Sequence, residues 1–423
     1  MKHTVRTLAA AFLALILSAS AATTAALSTP ADSKWVDAWA VSLLPTLRNG
    51  ALDPVPTFSN QTFRVIVFSK LAGTQARVKF SNKFQTKPLN LGTAHLALRD
   101  GTSGGAIKPE SDRALTFDGK PSLTLAPGEE RWSDPVTLDV PQHADVAISM
   151  YLPDESYKPE ANHGTGLKPT FLSAPGDHTG AANLPAPAGG RDGASRGRGP
   201  GGGGAANIVL FVSDLQVMAP AKTKVIVAFG DSITDGAVSQ NDANASWPDV
   251  LSKRLPKLPD STPISVINMG IGSNRLVSSD NAGPAGVKRF ADDVLARPNV
   301  THLIVLEGVN DISYEHVKPE QLIAAYQDVI ARAHAKGIKV FGAPILPIQA
   351  STKDTPENEA TRQAVNKWIR ESKAFDAVIE FEKAVQDPQN PLIIRSDLTG
   401  DHVHPNTTGY RLMAEAIDLK LFE

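Results

Sequence analysis

The chain of 423 residues contains no cysteine. That excludes disulfides, a thiol nucleophile, a cysteine metal site and an N-terminal lipid-modified cysteine. An excess of charge of one sign is also lacking. Forty-two Lys and Arg face 44 Asp and Glu, for a formal net charge of −2. No electrostatic argument for nucleic acid or a polyanionic surface follows from such a balance. The longest apolar run, Leu8 to Leu17, is too short to cross a bilayer. It stands between a positive stretch (Lys2, His3, Arg6) and the small residues Ala19-Ser-Ala21. That order predicts a cleavable export signal over residues 1–26 and a secreted or periplasmic protein with no membrane span.

What is present is enough apolar content, 42%, for two cores. The pattern changes character partway along the chain. Residues 33–219 read as β throughout. Phe63 to Ser69 is a strand, and Gln75 to Ser81 alternates polar and apolar as a half-buried strand does. Gly92 to Leu98, Leu123 to Leu125, Ser133 to Val140 and Asp145 to Leu152 are further strands. Turn dipeptides such as Asp100-Gly101, Asp118-Gly119 and Pro127-Gly128 separate them. Short strands at regular spacing predict an all-β sandwich of jelly-roll type. Residues 184–206, rich in Gly, Ala and Pro, predict a surface loop inside this domain. They are followed by one more strand, Asn207 to Val217, and the boundary falls at Ala219-Pro-Ala-Lys222.

Residues 222–423 alternate strand and helix. Val225-Ile-Val-Ala-Phe-Gly-Asp-Ser-Ile-Thr-Asp-Gly236 is an apolar β-branched run that stops at Gly230. The later strands are Ile264 to Met269, His302 to Leu306, Ile338 to Ile345 and Ala377 to Phe381. Helices fall over 284–296, 319–336, 357–373 and 406–419, and Ser246 caps another. Five parallel strands in the order 2-1-3-4-5 follow, with the first strand central. Ligands of such a sheet bind beyond the carboxyl ends of its strands, and four loops there carry chemistry. Ser232 follows the first strand as a candidate nucleophile. A hydroxyl needs a base, and Asp401-His-Val-His-Pro405 supplies candidates. Asp401 can hold one ring nitrogen of His404 and leave the other facing Ser232. His402 is the alternative base, and His402, His404 and Asp401 could instead form a metal site. Acyl transfer also needs donors for an oxyanion. Asn268-Met-Gly-Ile-Gly-Ser-Asn-Arg275 offers backbone N–H groups, and Asn310 offers a side-chain amide.

These blocks resemble those of the SGNH (GDSL-type) hydrolases: Phe229 to Gly236, Asn268 to Asn274, Gly308-Val-Asn310-Asp311 and Asp401 to Pro405. The resemblance covers about half of the chain. It implies a flavodoxin-like three-layer α/β/α domain and metal-free, cofactor-free ester hydrolysis. By the resemblance Ser232 is the nucleophile and an oxyanion donor, Asn310 a second donor, and His404 the base oriented by Asp401. The second block departs from the family pattern. The oxyanion glycine falls on Ser273, with Gly272 just before it, so either residue could donate. The β region is similar to the leader domain of two-domain secreted bacterial esterases of this type, on Arg77 to Asn82 and Pro88 to Gly92. The expected activity is hydrolysis of short-chain acyl esters, acetyl above all, on a carbohydrate such as an acetylated polysaccharide. The alternatives are a lipase, lysophospholipase or arylesterase, and a non-catalytic glycan-binding protein on a hydrolase scaffold.

Overall fold

The computed structural model describes residues 32–45, 57–164, 167–187, 208–257, 262–279 and 283–423. The expected export signal and most of the glycine-rich stretch lie outside these. Among the described residues two five-stranded antiparallel sheets and a two-stranded ribbon, Leu89–Leu91 with Leu123–Leu125, make up the β region. In one, Ser33–Ala40 pairs with Val212–Pro220, which pairs with Gly73–Ser81. Gly73–Ser81 then takes Glu130–Trp132 and Val136–Val140 on its far side. The other runs Thr170–Pro175, Gln61–Phe68, Asp145–Leu152, Ala94–Leu98 and Arg113–Ala114. Val36, Val78, Phe80 and Val217 of the first sheet share one core with Phe63, Val65, Ile148 and Met150 of the second. This is a β-sandwich, and period-two alternation sorts its core residues.

Strand Gln61–Phe68 is buried on both sides, which explains its nearly unbroken apolar run. Its odd positions face the shared core, while Ile66 joins a second small cluster with Ala97, Ile107 and Ala147. Arg64 on that outer face is buried and fully used. It donates to Ser149 Oγ (2.7 Å) and to the carbonyls of Gly105, Thr179 and Ala181. The expected strand Ser133 to Val140 begins only at Val136, because Ser133 turns away to donate N–H to Val78 O and accept Val78 N–H on Oγ. The strand expected from Asn207 begins at Val212.

The second half of the chain is a parallel sheet in the order Ile264–Gly270, Lys224–Gly230, Val300–Leu306, Lys339–Gly342, Ala377–Val378. The first strand in sequence lies inside the sheet, flanked on both sides, as its apolar composition requires. Helices Trp247–Arg254, Phe381–Val385 and Thr407–Glu415 contact one another. Gly286–Phe290, Pro319–His334 and Pro356–Glu371 form a second set, giving three α/β/α layers. The helix expected over 284–296 is α only to Phe290 and then continues as a π turn, Ala291–Leu295. The fourth strand stops at Gly342, although the chain stays buried to Ile348.

Polar contacts join the two regions. Arg297 reaches Asp37 (3.1 Å) and Asp214 (2.5 Å), and Lys70 pairs with Asp249 at 2.7 Å. Ser265 Oγ donates to Asp37 O at 2.6 Å. Losing one partner of such a buried pair strands a charge, at a cost of about 3–5 kcal/mol. Among the described residues no helix is long and apolar enough to cross a membrane.

Candidate active site

The strand Lys224–Gly230 ends where a side chain on Gly230 would collide with Thr234 Oγ1 and the Leu306 carbonyl. Gly270, beside it in register, would collide with the Asp235 backbone. Only glycine lets the chain turn here and lay the short helix Ser232–Asp235 across the strand ends. Asp231 caps that helix, its Oδ1 accepting Ile233 N–H at 2.9 Å. Burial pushes the Asp231 carboxyl up to about 6, against the Ile233 N–H and the charges of His404 and Lys353. Ser232 is the first residue of the helix, so no preceding turn uses its N–H. Asn268 ties the neighbouring strand to the helix, donating to Thr234 O (2.9 Å) and Asp235 O (3.3 Å).

Ser232 Oγ stands 2.8 Å from His404 Nε2, and His404 Nδ1 stands 2.7 Å from Asp401 Oδ2. A carboxylate only accepts, so Nδ1 donates to it and Nε2 is left to accept from Ser232. The loop holding the pair is tied to itself. Asp401 Oδ1 takes the N–H groups of Val403 (2.9 Å) and His404 (2.8 Å), and Asn406 N–H closes on Leu398 O (2.6 Å). Burial pushes the Asp401 carboxyl up, but the His404 ring bond and the two backbone N–H groups outweigh it. The group is held well below the usual carboxylate range. His402 sits between them with φ 61°, its backbone on Thr399 Oγ1 and its buried Nδ1 without a partner. The structure thus brings His404, not His402, to Ser232. Among the described residues no three His, Asp or Glu side chains are placed to hold a metal ion.

The second block forms a turn closed by Asn274 N–H on Ile271 O (3.0 Å), and Ile271 N–H bonds Gly230 O (3.0 Å). Gly272 is buried in that turn. Ser273 has φ 57°, the left-handed region that glycine adopts freely and other residues enter at about 1–2 kcal/mol. The family's glycine at this place therefore has a conformational reason, which a serine N–H does not remove. Ser273→Gly is expected to raise stability in urea denaturation by up to about 1 kcal/mol, and Ser273→Val to lower it. A stabilised Ser273→Val would mean the turn relaxes out of this conformation.

Asn310 lies in the helix Val309–Glu315 after Gly308, whose φ of 111° bends the chain out of the third strand. Its buried Nδ2 donates to Asn274 O at 3.0 Å, and Lys353 Nζ stands 3.4 Å from its Oδ1. An amide nitrogen carries two protons, so one remains for a ligand. Asp311 accepts Leu276 N–H and Val277 N–H, each at 2.8 Å, fixing the far end of the second block.

Sequence reasoning missed Arg289. Its guanidinium lies 3.9 Å from the Phe229 ring centroid and donates to Gly230 O (2.9 Å), Met269 O (2.8 Å) and Asn274 Oδ1 (2.8 Å). It also pairs with Asp293 (2.8 Å) and Glu307 (3.3 Å). One side chain thereby joins two strand ends to the second block. Burial, with Asp231 adding, pushes the Glu307 carboxyl well up. The one available signal was Glu307 itself, a carboxyl at the end of an apolar strand that needs a buried partner.

Residues 228–412 match the model of the GDSL-like Lipase/Acylhydrolase family. No curated protein matches the chain. Solved structures that it resembles include Est24, a carbohydrate acetylesterase from Sinorhizobium meliloti, at 16% identity, 47% of this chain, 98% of that chain and a TM-score of 0.38. Another is a catalytic mutant of Axe2, an acetylxylan esterase from Geobacillus stearothermophilus, at 18% identity, 46% and 91% coverage and a TM-score of 0.37. A third is a member of the lipolytic protein G-D-S-L family from Veillonella parvula DSM 2008, at 20% identity, 46% and 95% coverage and a TM-score of 0.36.

Proposed function

We propose, from the premise that residues 228–412 form a GDSL-like lipase/acylhydrolase domain and that the chain is a carboxylic ester hydrolase, that it removes short acyl groups, acetyl above all, from carbohydrate through an acyl-enzyme. The carrying observation is the unbroken chain of contacts from Ser232 Oγ through the His404 ring to Asp401. Ser232 Oγ attacks the ester carbonyl carbon and its proton passes to His404 Nε2. The carbonyl oxygen becomes an oxyanion, met by the N–H groups of Ser232 and of Gly272 or Ser273, and by Asn310 Nδ2. As the C–O bond breaks, His404 returns the proton to the leaving alcohol. Water, deprotonated by the same nitrogen, then attacks the acyl carbon and releases the acid and Ser232. Asp401 holds the ring and balances its charge while it carries two protons.

Support for a polar alcohol comes from the mouth of the site. Tyr314, 55% exposed, projects from the helix that carries Asn310. Arg275 and Lys353 stand 5.3 and 4.0 Å from its ring centroid. A half-exposed aromatic ring flanked by cations suits a polar alcohol better than an acyl chain. The proposal includes the organisation of the chain: an export signal over 1–26, a β-sandwich over 33–219 and the hydrolase domain over 222–423. A series of p-nitrophenyl esters tests the acyl preference, and acetate release from acetylated xylan and pectin tests the alcohol. kcat/KM is expected to peak at acetate and to fall about tenfold or more by hexanoate. A maximum at octanoate or longer, with no acetate released from either polymer, would assign the protein to lipid esters instead.

A further inference from the structure

The loop after the fourth strand carries Lys353 to the site. Its backbone is held on both sides: its N–H on Ser351 Oγ (3.0 Å) and its carbonyl under Asn358 Nδ2 (2.9 Å). Asn358 belongs to the helix Pro356–Glu371, capped by Thr355, so the lysine stem starts from a fixed point. Among the described residues no carboxylate pairs with its Nζ. Its neighbours are Asn310 Oδ1 at 3.4 Å and the Tyr314 ring face at 4.0 Å. Burial takes water from this lysine head and no ion pair among the described residues replaces it, although its charge also bears on the buried Asp231. The arrangement becomes intelligible if negative charge arrives nearby during turnover.

We infer that Lys353 is a positioning residue for the oxyanion: it holds Asn310 through Oδ1 and polarises the amide, so that Nδ2 meets the developing negative charge as a stronger donor. The inference rests on the esterase reading above. Asn310 is gripped at both ends of its amide, Nδ2 on the Asn274 carbonyl and Oδ1 on the ammonium. Hydrogen bonds in such a chain reinforce one another. A neutral ester gains little from this and the tetrahedral oxyanion gains much, so the effect belongs in kcat and not in KM. Tyr314 keeps the lysine head at the amide through its ring face.

The test is a double-mutant cycle on p-nitrophenyl acetate, which has no charge for Lys353 to bind. Lys353→Met is expected to lower kcat about tenfold with KM within about twofold, and Lys353→Arg to recover most of the loss. In an Asn310→Ala background the same Lys353→Met change is expected to cost less than about twofold, because its partner is gone. Thermal melting of each variant separates these effects from unfolding. Equal losses from Lys353→Met in both backgrounds, a loss confined to KM, or an unchanged kcat would each overturn the inference while leaving the esterase reading intact. A fully active Asn310→Ala protein would overturn the oxyanion reading, and this inference with it.

Discussion

Ser232→Ala should lower kcat on p-nitrophenyl acetate by about a thousandfold or more while leaving the fold intact. In the proposed mechanism the hydroxyl oxygen forms the new bond, and its partner is the His404 ring at 2.8 Å. Nothing structural depends on it. The helix it opens is capped by Asp231 and tied down by Asn268. An alanine methyl takes the place of the serine Cβ and only removes the hydroxyl, so it needs no new room. Melting temperature should therefore change little. Residual activity above the uncatalysed rate should remain, since the oxyanion donors still act. The variant should also lose labelling by a fluorophosphonate, which reports the nucleophile independently of turnover. Near-normal hydrolysis by Ser232→Ala would end the acyl-enzyme proposal.

The second large effect separates two histidines that stand two residues apart. His404→Ala should cost about a thousandfold or more in kcat, and His402→Ala no more than a few-fold. Only His404 reaches Ser232, and only its ring is held by Asp401. His402 holds a left-handed backbone at the tip of the loop, a place that alanine occupies with modest strain. Asp401→Asn should fall between the two, because an amide can present the wrong atom to Nδ1 and disturb the tautomer. The Asp401 carboxyl lies below the usual carboxylate range. Its contribution to stability is present above the unfolded value near 4 and is lost only as pH falls through its lower folded value. It therefore stays ionised at every pH where hydrolysis is ordinarily measured, and the acid limb of the rate profile does not report it. Kinetics of the three variants at fixed pH check the order. Equal losses at His402 and His404 would point to collapse of the loop and not to the loss of a base.

The order of the parallel sheet and the grouping of Ser232, Asp401, His404, Asn310 and the second block were legible because each lies next to a local signal. A strand ends, a glycine turns the chain, and the candidate residue follows within a few positions. Arg289 and Lys353 have no such marker. In sequence each reads as a charged residue on a helix or loop. Their meaning comes from acceptors far along the chain, Gly230 and Asn274 for one and Asn310 for the other. The β region shows the same limit. Gln61–Phe68 and Asp145–Leu152 are long enough to declare a period, whereas Arg113–Ala114 exists only through its neighbour Ala94–Leu98. Ser273 is intermediate: its departure from the family glycine was visible, but that the position demands a left-handed backbone was not.

The pairing of Ser33–Ala40 with Val212–Pro220 also constrains the order of events during synthesis. Val36 lies opposite Val217, so the loop between these partners contains nearly the whole β region. A chain growing from its amino end keeps its earliest strand without that neighbour until Pro220 has been added. Closing so long a loop is slow, because its entropy is spent before any pairing returns it. The next strand to emerge, Lys224–Gly230, takes an interior place in the parallel sheet, between Ile264–Gly270 and Val300–Leu306. Completion of the sandwich and the start of the parallel-sheet half therefore meet at a single moment of translation.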